Sequence, residues 1–251
     1  MIKACIFDMY ETLVSLFVGR VYFSEDFVKD MNLPFKEYVK AWHENEDDRT
    51  MGKITIEEGG RAALEKIGLY SKEAVEHLVK KRHESQTDTF SMIPKETFEL
   101  LDELKKRGIK IGLISNCFSD ERDMIRASLL MPYFDAVKLS YEQGIKKPDL
   151  VLFYDIAKEL GAETCECIYV GDGGSHELEA ATKAGMKAIQ ANWFRPIMLE
   201  GHIPCGVMPQ FIQAEKQTDI LKYLRRLWKP QSFRERIDRK LLLRQILHKQ
   251  P

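Results

Sequence analysis

Apolar residues fall along this chain in two different rhythms. Residues 4–7 (Ala-Cys-Ile-Phe) form a short apolar run that stops at Asp8, which predicts a buried strand with an acid at its carboxyl end. From 23 to 90 the rhythm is helical. The stretches 23–31, 35–48, 55–69 and 71–85 repeat apolar residues at three- and four-residue spacing, the pattern of amphipathic helices. Ser24 ahead of Asp26, and Thr55 ahead of Glu57 and Glu58, supply helix-start signals. No strand pattern interrupts this stretch, so it reads as a separate helical module inserted after the first strand.

Strand and helix then alternate. Pro94 opens a helix that stops at Gly108. Strands are predicted over 109–115, 135–140, 167–172 and 186–192, with helices over 120–130, 150–161 and 176–185 between them. Such alternation implies βαβ units and a parallel sheet covered by helices on both faces. The fold class is therefore α/β, with a three-layer α/β/α, Rossmann-like core. Residues 1–15 and 91–221 would form that core, 16–90 a helical domain, and 222–251 a basic amphipathic extension. In the extension Phe233, Ile237, Leu241, Leu242 and Ile246 share one apolar face. Ligands of such sheets bind at the carboxyl ends of the strands. Asp8, Ser115, Asn116 and Asp172 all stand at predicted strand ends.

Charge changes this picture only locally. The formal net charge is −1, yet residues 222–249 carry +8 and the remainder −9. Docking of the tail on the acidic body, or pairing with a second subunit, accounts for that asymmetry without a nucleic acid or a membrane. No apolar run approaches the ~20 residues needed to cross a bilayer. The first residues begin a strand directly, and five cysteines are an odd number for a disulfide framework. A cytoplasmic protein, monomeric or homodimeric, is expected.

Four polar stations follow one another in order. They are Asp8-Met9-Tyr10-Glu11-Thr12, Ser115-Asn116, Lys147-Pro148-Asp149, and Gly171-Asp172 with Glu177 five residues later. This series resembles the four motifs of the haloacid dehalogenase-like hydrolase superfamily, most members of which are Mg²⁺-dependent phosphatases. The helical module resembles that family's cap, which would close over the site. The resemblance marks Asp8, Tyr10, Ser115, Asn116 and Lys147 as catalytic stations. It marks Asp8, the backbone carbonyl of Tyr10, Asp172 and Glu177 as the holders of Mg²⁺. A small phosphorylated metabolite would be the substrate, with an aspartyl-phosphate on Asp8 as intermediate.

Two positions depart from the phosphatase pattern. Tyr10 stands where the phosphatases carry a second Asp, and Glu11 where they carry Gly. A phenol, with a pKa near ~10, is a poor general acid–base at neutral pH. Asp-x-Tyr-x-Thr is instead the pattern of metal-independent 2-haloacid dehalogenases, although those lack the acidic pair that Asp172 and Glu177 supply here. A weakly active or non-catalytic binding protein is the third reading. His176 is a candidate for the missing acid, whereas strand alternation would point Glu11 away from Tyr10. Arg20, Trp42 and Arg49 are candidate entrance contacts with mainly structural roles.

Overall fold

A computed structural model describes residues 1–227. Six strands form one all-parallel sheet: β1 (Ala4–Phe7), β2 (Lys110–Ser115), β3 (Ala136–Leu139), β4 (Cys167–Gly171), β5 (Lys187–Ala191) and β6 (Ile212–Ala214), in the order β3-β2-β1-β4-β5-β6. The three-layer α/β fold expected from the alternating pattern is present. β1 is central, with Phe7 in register with Leu113 of β2 on one side and Val170 of β4 on the other. The chain leaves β1 toward β2 in one direction and later returns to β4 in the other. The crevice at that reversal lies beyond Asp8.

Strand alternation decides which side chains go to which layer. Cys5 and Phe7 face a core completed by Leu100, Leu101 and Leu104 of α6 (Lys95–Lys106), Ile125 of α7 (Ser119–Ala127), and Ile220 and Leu224 of α11 (Gln217–Leu227). Ala4 and Ile6 face the opposite core, built with Leu152, Phe153 and Ile156 of α9 (Leu150–Glu159) and Leu178 of α10 (Glu177–Lys183). β6 was not anticipated. It is three residues long and follows a Gly- and Pro-rich loop, too short for a period to register.

Between β1 and β2 stand α1 (Ser24–Asp30), α2 (Phe35–Glu44), α3 (Glu46–Thr50), α4 (Ile56–Lys66) and α5 (Lys72–Ser91). They bury their own cluster of Phe27, Tyr38, Trp42, Leu64 and Leu78. Thr55 caps α4 by accepting from the Glu58 N–H while Glu58 accepts from the Thr55 N–H, a reciprocal arrangement that satisfies two otherwise unpaired donors. α5 runs beyond its expected end at residue 85 to Ser91 and buries Gln86 and Thr89. Arg82 of α5 forms a fork with Asp120 at 2.7 Å and reaches Glu121 at 2.9 Å on α7. The Ile56 N–H donates to Ser119 Oγ at 2.9 Å. No helix among the described residues is long and apolar enough to cross a membrane. The basic extension beyond Leu227, with its apolar face at Phe233, Ile237, Leu241, Leu242 and Ile246, lies outside the described residues.

One glycine controls how closely the helices approach the sheet domain. Gly52 has φ +72°, and a Cβ there would lie 2.0 Å from the carbonyl oxygen of Tyr141, in the short helix α8 (Ser140–Gln143). Gly52→Ala combines a left-handed strain of ~1–2 kcal/mol with that clash. The urea midpoint of Gly52→Ala is expected to fall by more than that strain alone implies, at unchanged slope; an unshifted midpoint would refute the contact.

Candidate active site

The end of β1 fixes Asp8. Its N–H donates to the Val170 carbonyl at 2.9 Å, extending the β1–β4 ladder by one residue, so the side chain emerges at the crevice, 7% exposed. Lys147, 4% exposed, comes from the segment after α8. Its Nζ donates to Asp8 Oδ1 at 2.6 Å and to Glu177 Oε2 at 2.5 Å. Asn116, just past β2, holds the Lys147 backbone from both sides. Its Oδ1 accepts from the Lys147 N–H at 2.8 Å and its Nδ2 donates to the Lys147 carbonyl at 3.2 Å. Asp172 follows β4, and its Oδ1 accepts from the Gly174 N–H at 2.9 Å. Asp8, Asp172 and Glu177 each bring a carboxylate oxygen to within 4.8 Å of the other two.

These groups wall a pocket of about 180 Å³ together with Tyr10, Glu11, Gly174 and Ser175. Tyr169, beneath it in β4, was not singled out in the sequence because its strand reads as uniformly apolar. Its buried hydroxyl donates to Glu177 Oε2 at 2.7 Å. Gly171 makes room for that carboxylate, since a Cβ there would sit 1.9 Å from Glu177 Oε1. Ser175 was also missed; it lines the pocket and accepts from Asn116 Nδ2 at 3.3 Å.

Three expectations change. Glu11 is not extended: at φ +54° it escapes strand alternation and lines the same pocket as Asp8. Its carboxylate accepts from Ser15 Oγ at 2.6 Å and the Leu16 N–H at 2.8 Å, and burial pushes its pKa up to about 7. Ser115 is buried off the pocket wall, its hydroxyl turned toward the Asn116 carbonyl; Asn116 and Ser175 line the wall instead. His176 does not line the pocket, because its left-handed backbone at the start of α10 turns an 83%-exposed side chain to solvent. Tyr10 lines the pocket but sends its hydroxyl into the helical segment, donating to Gln86 Oε1 at 3.0 Å. Glu11, Ser175 and His176 are all non-glycine residues with positive φ, and each such residue costs ~1–3 kcal/mol that the surroundings must offset.

Electrostatics explains why this cluster suits a cation. Burial and the charge of Asp8 hold Asp172 and Glu177 above the ordinary carboxylate range. Burial would lower the Lys147 pKa, but Asp8 and Glu177 outweigh it and hold it raised. Three carboxyl groups face one ammonium, so the cluster is acid-rich. A divalent cation would relieve the mutual repulsion that raises these acids, and Mg²⁺ in particular prefers oxygen ligands. Asp8 and Asp172 are the residues with carboxylate capacity for it. Glu177 is already engaged by Lys147, by Tyr169 and, at 3.3 Å, by the Gly173 N–H.

The arrangement has relatives. Residues 2–185 match the family model described as haloacid dehalogenase-like hydrolase. The chain belongs to that family. A stretch of 101 residues, 39% of this chain, is 33% identical to the glyceraldehyde 3-phosphate phosphatase of Methanothermobacter thermautotrophicus and spans 44% of that relative's length. Among solved structures, a 2-haloacid dehalogenase from Pseudomonas syringae superposes over 90% of this chain and all of its own, with a TM-score of 0.63 at 23% identity. A haloacid dehalogenase family enzyme from Bacteroides thetaiotaomicron, in a magnesium complex, covers 75% of this chain and 92% of its own at TM-score 0.59 and 17% identity. At these identities the two structures establish the shared fold.

An acid-rich cluster predicts stabilisation by a cation. Mg²⁺ at ~100 times its dissociation constant should add ~2.7 kcal/mol, read as a rise in Tm over the same protein in EDTA. Asp172→Asn should lose that rise. A Tm indifferent to Mg²⁺ in the wild type would contradict the fit.

Proposed function

We propose that this protein hydrolyses a small phosphorylated metabolite in two steps, with Asp8 as nucleophile and Mg²⁺ as cofactor. The observation that carries this reading is the Lys147 ammonium shared between Asp8 and Glu177 with Asp172 alongside. A carboxylate attacking a phosphate dianion meets like-charge repulsion, which the Lys147 ammonium beside Asp8 offsets in part and a cation held by the acid-rich cluster would offset further. The family membership and the phosphatase relative support the same chemistry.

In the first step an Asp8 oxygen forms a bond to phosphorus while the bond to the leaving oxygen breaks, giving an acyl phosphate. Lys147 holds Oδ1, which orients Oδ2 for attack. In the second step water attacks that phosphorus, Asp8 leaves as carboxylate, and inorganic phosphate is released. Asp8, Asp172 and the backbone carbonyl of Tyr10 would hold Mg²⁺, which when bound would supply positive charge against the phosphoryl oxygens. Glu177 keeps Lys147 in place, and Asn116 with Ser175 offers hydrogen bonds at the pocket wall. Tyr10, turned to Gln86, serves as wall. We assign proton transfer to the leaving oxygen to Glu11, the remaining carboxyl on that wall.

The competing reading is carbon–halogen hydrolysis, favoured by Tyr10 in the first station. Both are tested by phosphate release from acetyl phosphate and an aryl phosphate, and halide release from 2-chloropropionate, each in Mg²⁺ and in EDTA. Mg²⁺-dependent phosphate release abolished in Asp8→Asn is expected. Metal-independent halide release without phosphate release would overturn the proposal. Glu11→Gln separates the roles further. Alkyl phosphates, with poor leaving groups, should slow by ~10²–10⁴, and acetyl phosphate much less; equal slowing of both would remove Glu11 from the proton path.

A further inference from the structure

A fully buried amide stands behind the turn that carries Asp172. Gln190, in β5, lies opposite Gly171 of β4 in the parallel ladder, and its neighbours Ala188, Ile189 and Ala191 are core residues. A polar group in such a strand is costly unless its donors and acceptor are used. Those of Gln190 are used on two segments at once. Its Nε2 donates to the Asp172 carbonyl at 2.9 Å and to the Gly206 carbonyl at 3.1 Å, and its Oε1 accepts from the Met208 N–H at 2.8 Å. Two carbonyls on one side and an N–H on the other decide which way the amide points. One side chain thus ties the Asp172 turn to the segment between β5 and β6.

The sheet ladder does not hold this turn, because Asp172 lies one residue beyond the last β4–β5 pair. The backbone passes directly over the amide instead. Gly173 has φ +102°, and a Cβ there would lie 2.7 Å from Cys205 Sγ and 3.1 Å from Gln190 Nε2. Asp172 Oδ1 accepts from the Gly174 N–H at 2.9 Å, so the direction of the carboxyl follows the course of the backbone from 172 to 174. Cys205 Sγ adds a weaker donor to the Asp172 carbonyl at 3.4 Å, and Arg195 Nη2 holds the Cys205 carbonyl at 2.5 Å. The same segment is anchored to the helical part, where the His202 ring stacks on Phe23 with centroids 4.0 Å apart and planes inclined by 13°. Hydrogen bonds to the residues that hold a metal set their orientation and with it the affinity. Resting on the phosphatase reading, in which Asp172 holds Mg²⁺, we infer that Gln190 is a positioning residue for that cation. It fixes the Asp172 carbonyl and thereby keeps the carboxyl turned to receive Mg²⁺.

Two variants separate positioning from packing. Gln190→Met keeps the length of the side chain and removes its hydrogen bonds. Ile189→Val shortens a core side chain on the other face of β5 and leaves the amide in place. For the wild type and both variants, the Kd for Mg²⁺ is measured by isothermal titration calorimetry, with KM for Mg²⁺ and kcat on acetyl phosphate alongside. Gln190→Met should raise Kd and KM for Mg²⁺ about tenfold, with kcat recovered at saturating Mg²⁺. Ile189→Val should lower the Tm in EDTA and leave the Kd unchanged. An unchanged Kd in Gln190→Met, or an equal rise in Ile189→Val, would overturn the inference. If Gln190→Met does not fold, the ¹⁵N-labelled wild type decides. The side-chain NH₂ signal of Gln190 should shift with Mg²⁺ along the same saturation curve as the Gly174 N–H. A Gln190 signal that stays in place while that of Gly174 moves would overturn the inference. A wild type that neither binds Mg²⁺ nor needs it for phosphate release would reject the metal-dependent phosphatase reading itself, and not the role of Gln190 alone.

Discussion

The arrangement depends on one buried ammonium. Lys147 sits 2.6 Å from Asp8 and 2.5 Å from Glu177, with hardly any solvent contact. Burying a charge is costly unless it is paired and hydrogen-bonded, and three parts of the fold meet that condition together. β1 delivers Asp8, α10 delivers Glu177, and Asn116 fixes the Lys147 backbone by two hydrogen bonds. Tyr169 and Gly171 act one layer down, the first by donating to Glu177 and the second by leaving space for it. The same pairing leaves a residual negative charge at Asp172, and so the cluster that anchors the lysine also calls for a cation.

A second electrostatic arrangement joins the two halves of the molecule. The helical segment contributes Arg82 and Arg49, and the sheet domain contributes Asp120 and Glu121. The Phe118 ring is near both cations, 4.8 Å from the Arg49 guanidinium and 5.4 Å from that of Arg82. Arg49 is fully buried, donates to the Trp42 carbonyl and stacks 3.6 Å over the Trp42 ring. Arg20, by contrast, is exposed and pairs with Asp88 at 2.7 Å. Two guanidiniums against two carboxylates make this junction neutral in sum. It forms part of the wall of a cavity of about 420 Å³, which Gln86, the acceptor of the Tyr10 hydroxyl, also lines. Tyr10 thus turns its hydroxyl to the helical segment and away from the Asp8 pocket.

The fold was legible because the chain announces it in period and order. The Ala-Cys-Ile-Phe run, the helical spacing over 23–90 and the later alternation each reflect burial that the structure contains. The three-residue β6 left no period to read. At the site, Asp8, Asn116 and Asp172 could be picked out because strand ends expose polar groups against apolar runs, whereas Lys147 and Glu177 stood out through the resemblance in motif order. Besides Ser175, three features escaped for distinct physical reasons. Tyr169 was hidden because a buried aromatic looks like core whether or not its hydroxyl has work to do. Glu11 was misdirected because alternation assumes an extended backbone, and its φ is +54°. The cavity lined by Tyr38, Trp42, Gln86 and Phe118 assembles residues far apart in the chain, so no local pattern reveals it.

The proposed chemistry is covalent, with Asp8 carrying the phosphoryl group between substrate and water. The most direct measurement is peptide-resolved mass spectrometry of enzyme quenched in acid during Mg²⁺-supported turnover of acetyl phosphate. The account predicts one phosphoryl group on the peptide containing Asp8, removed by hydroxylamine and absent in Asp8→Asn. Turnover with no adduct on that peptide, or an adduct that persists in Asp8→Asn, would contradict it.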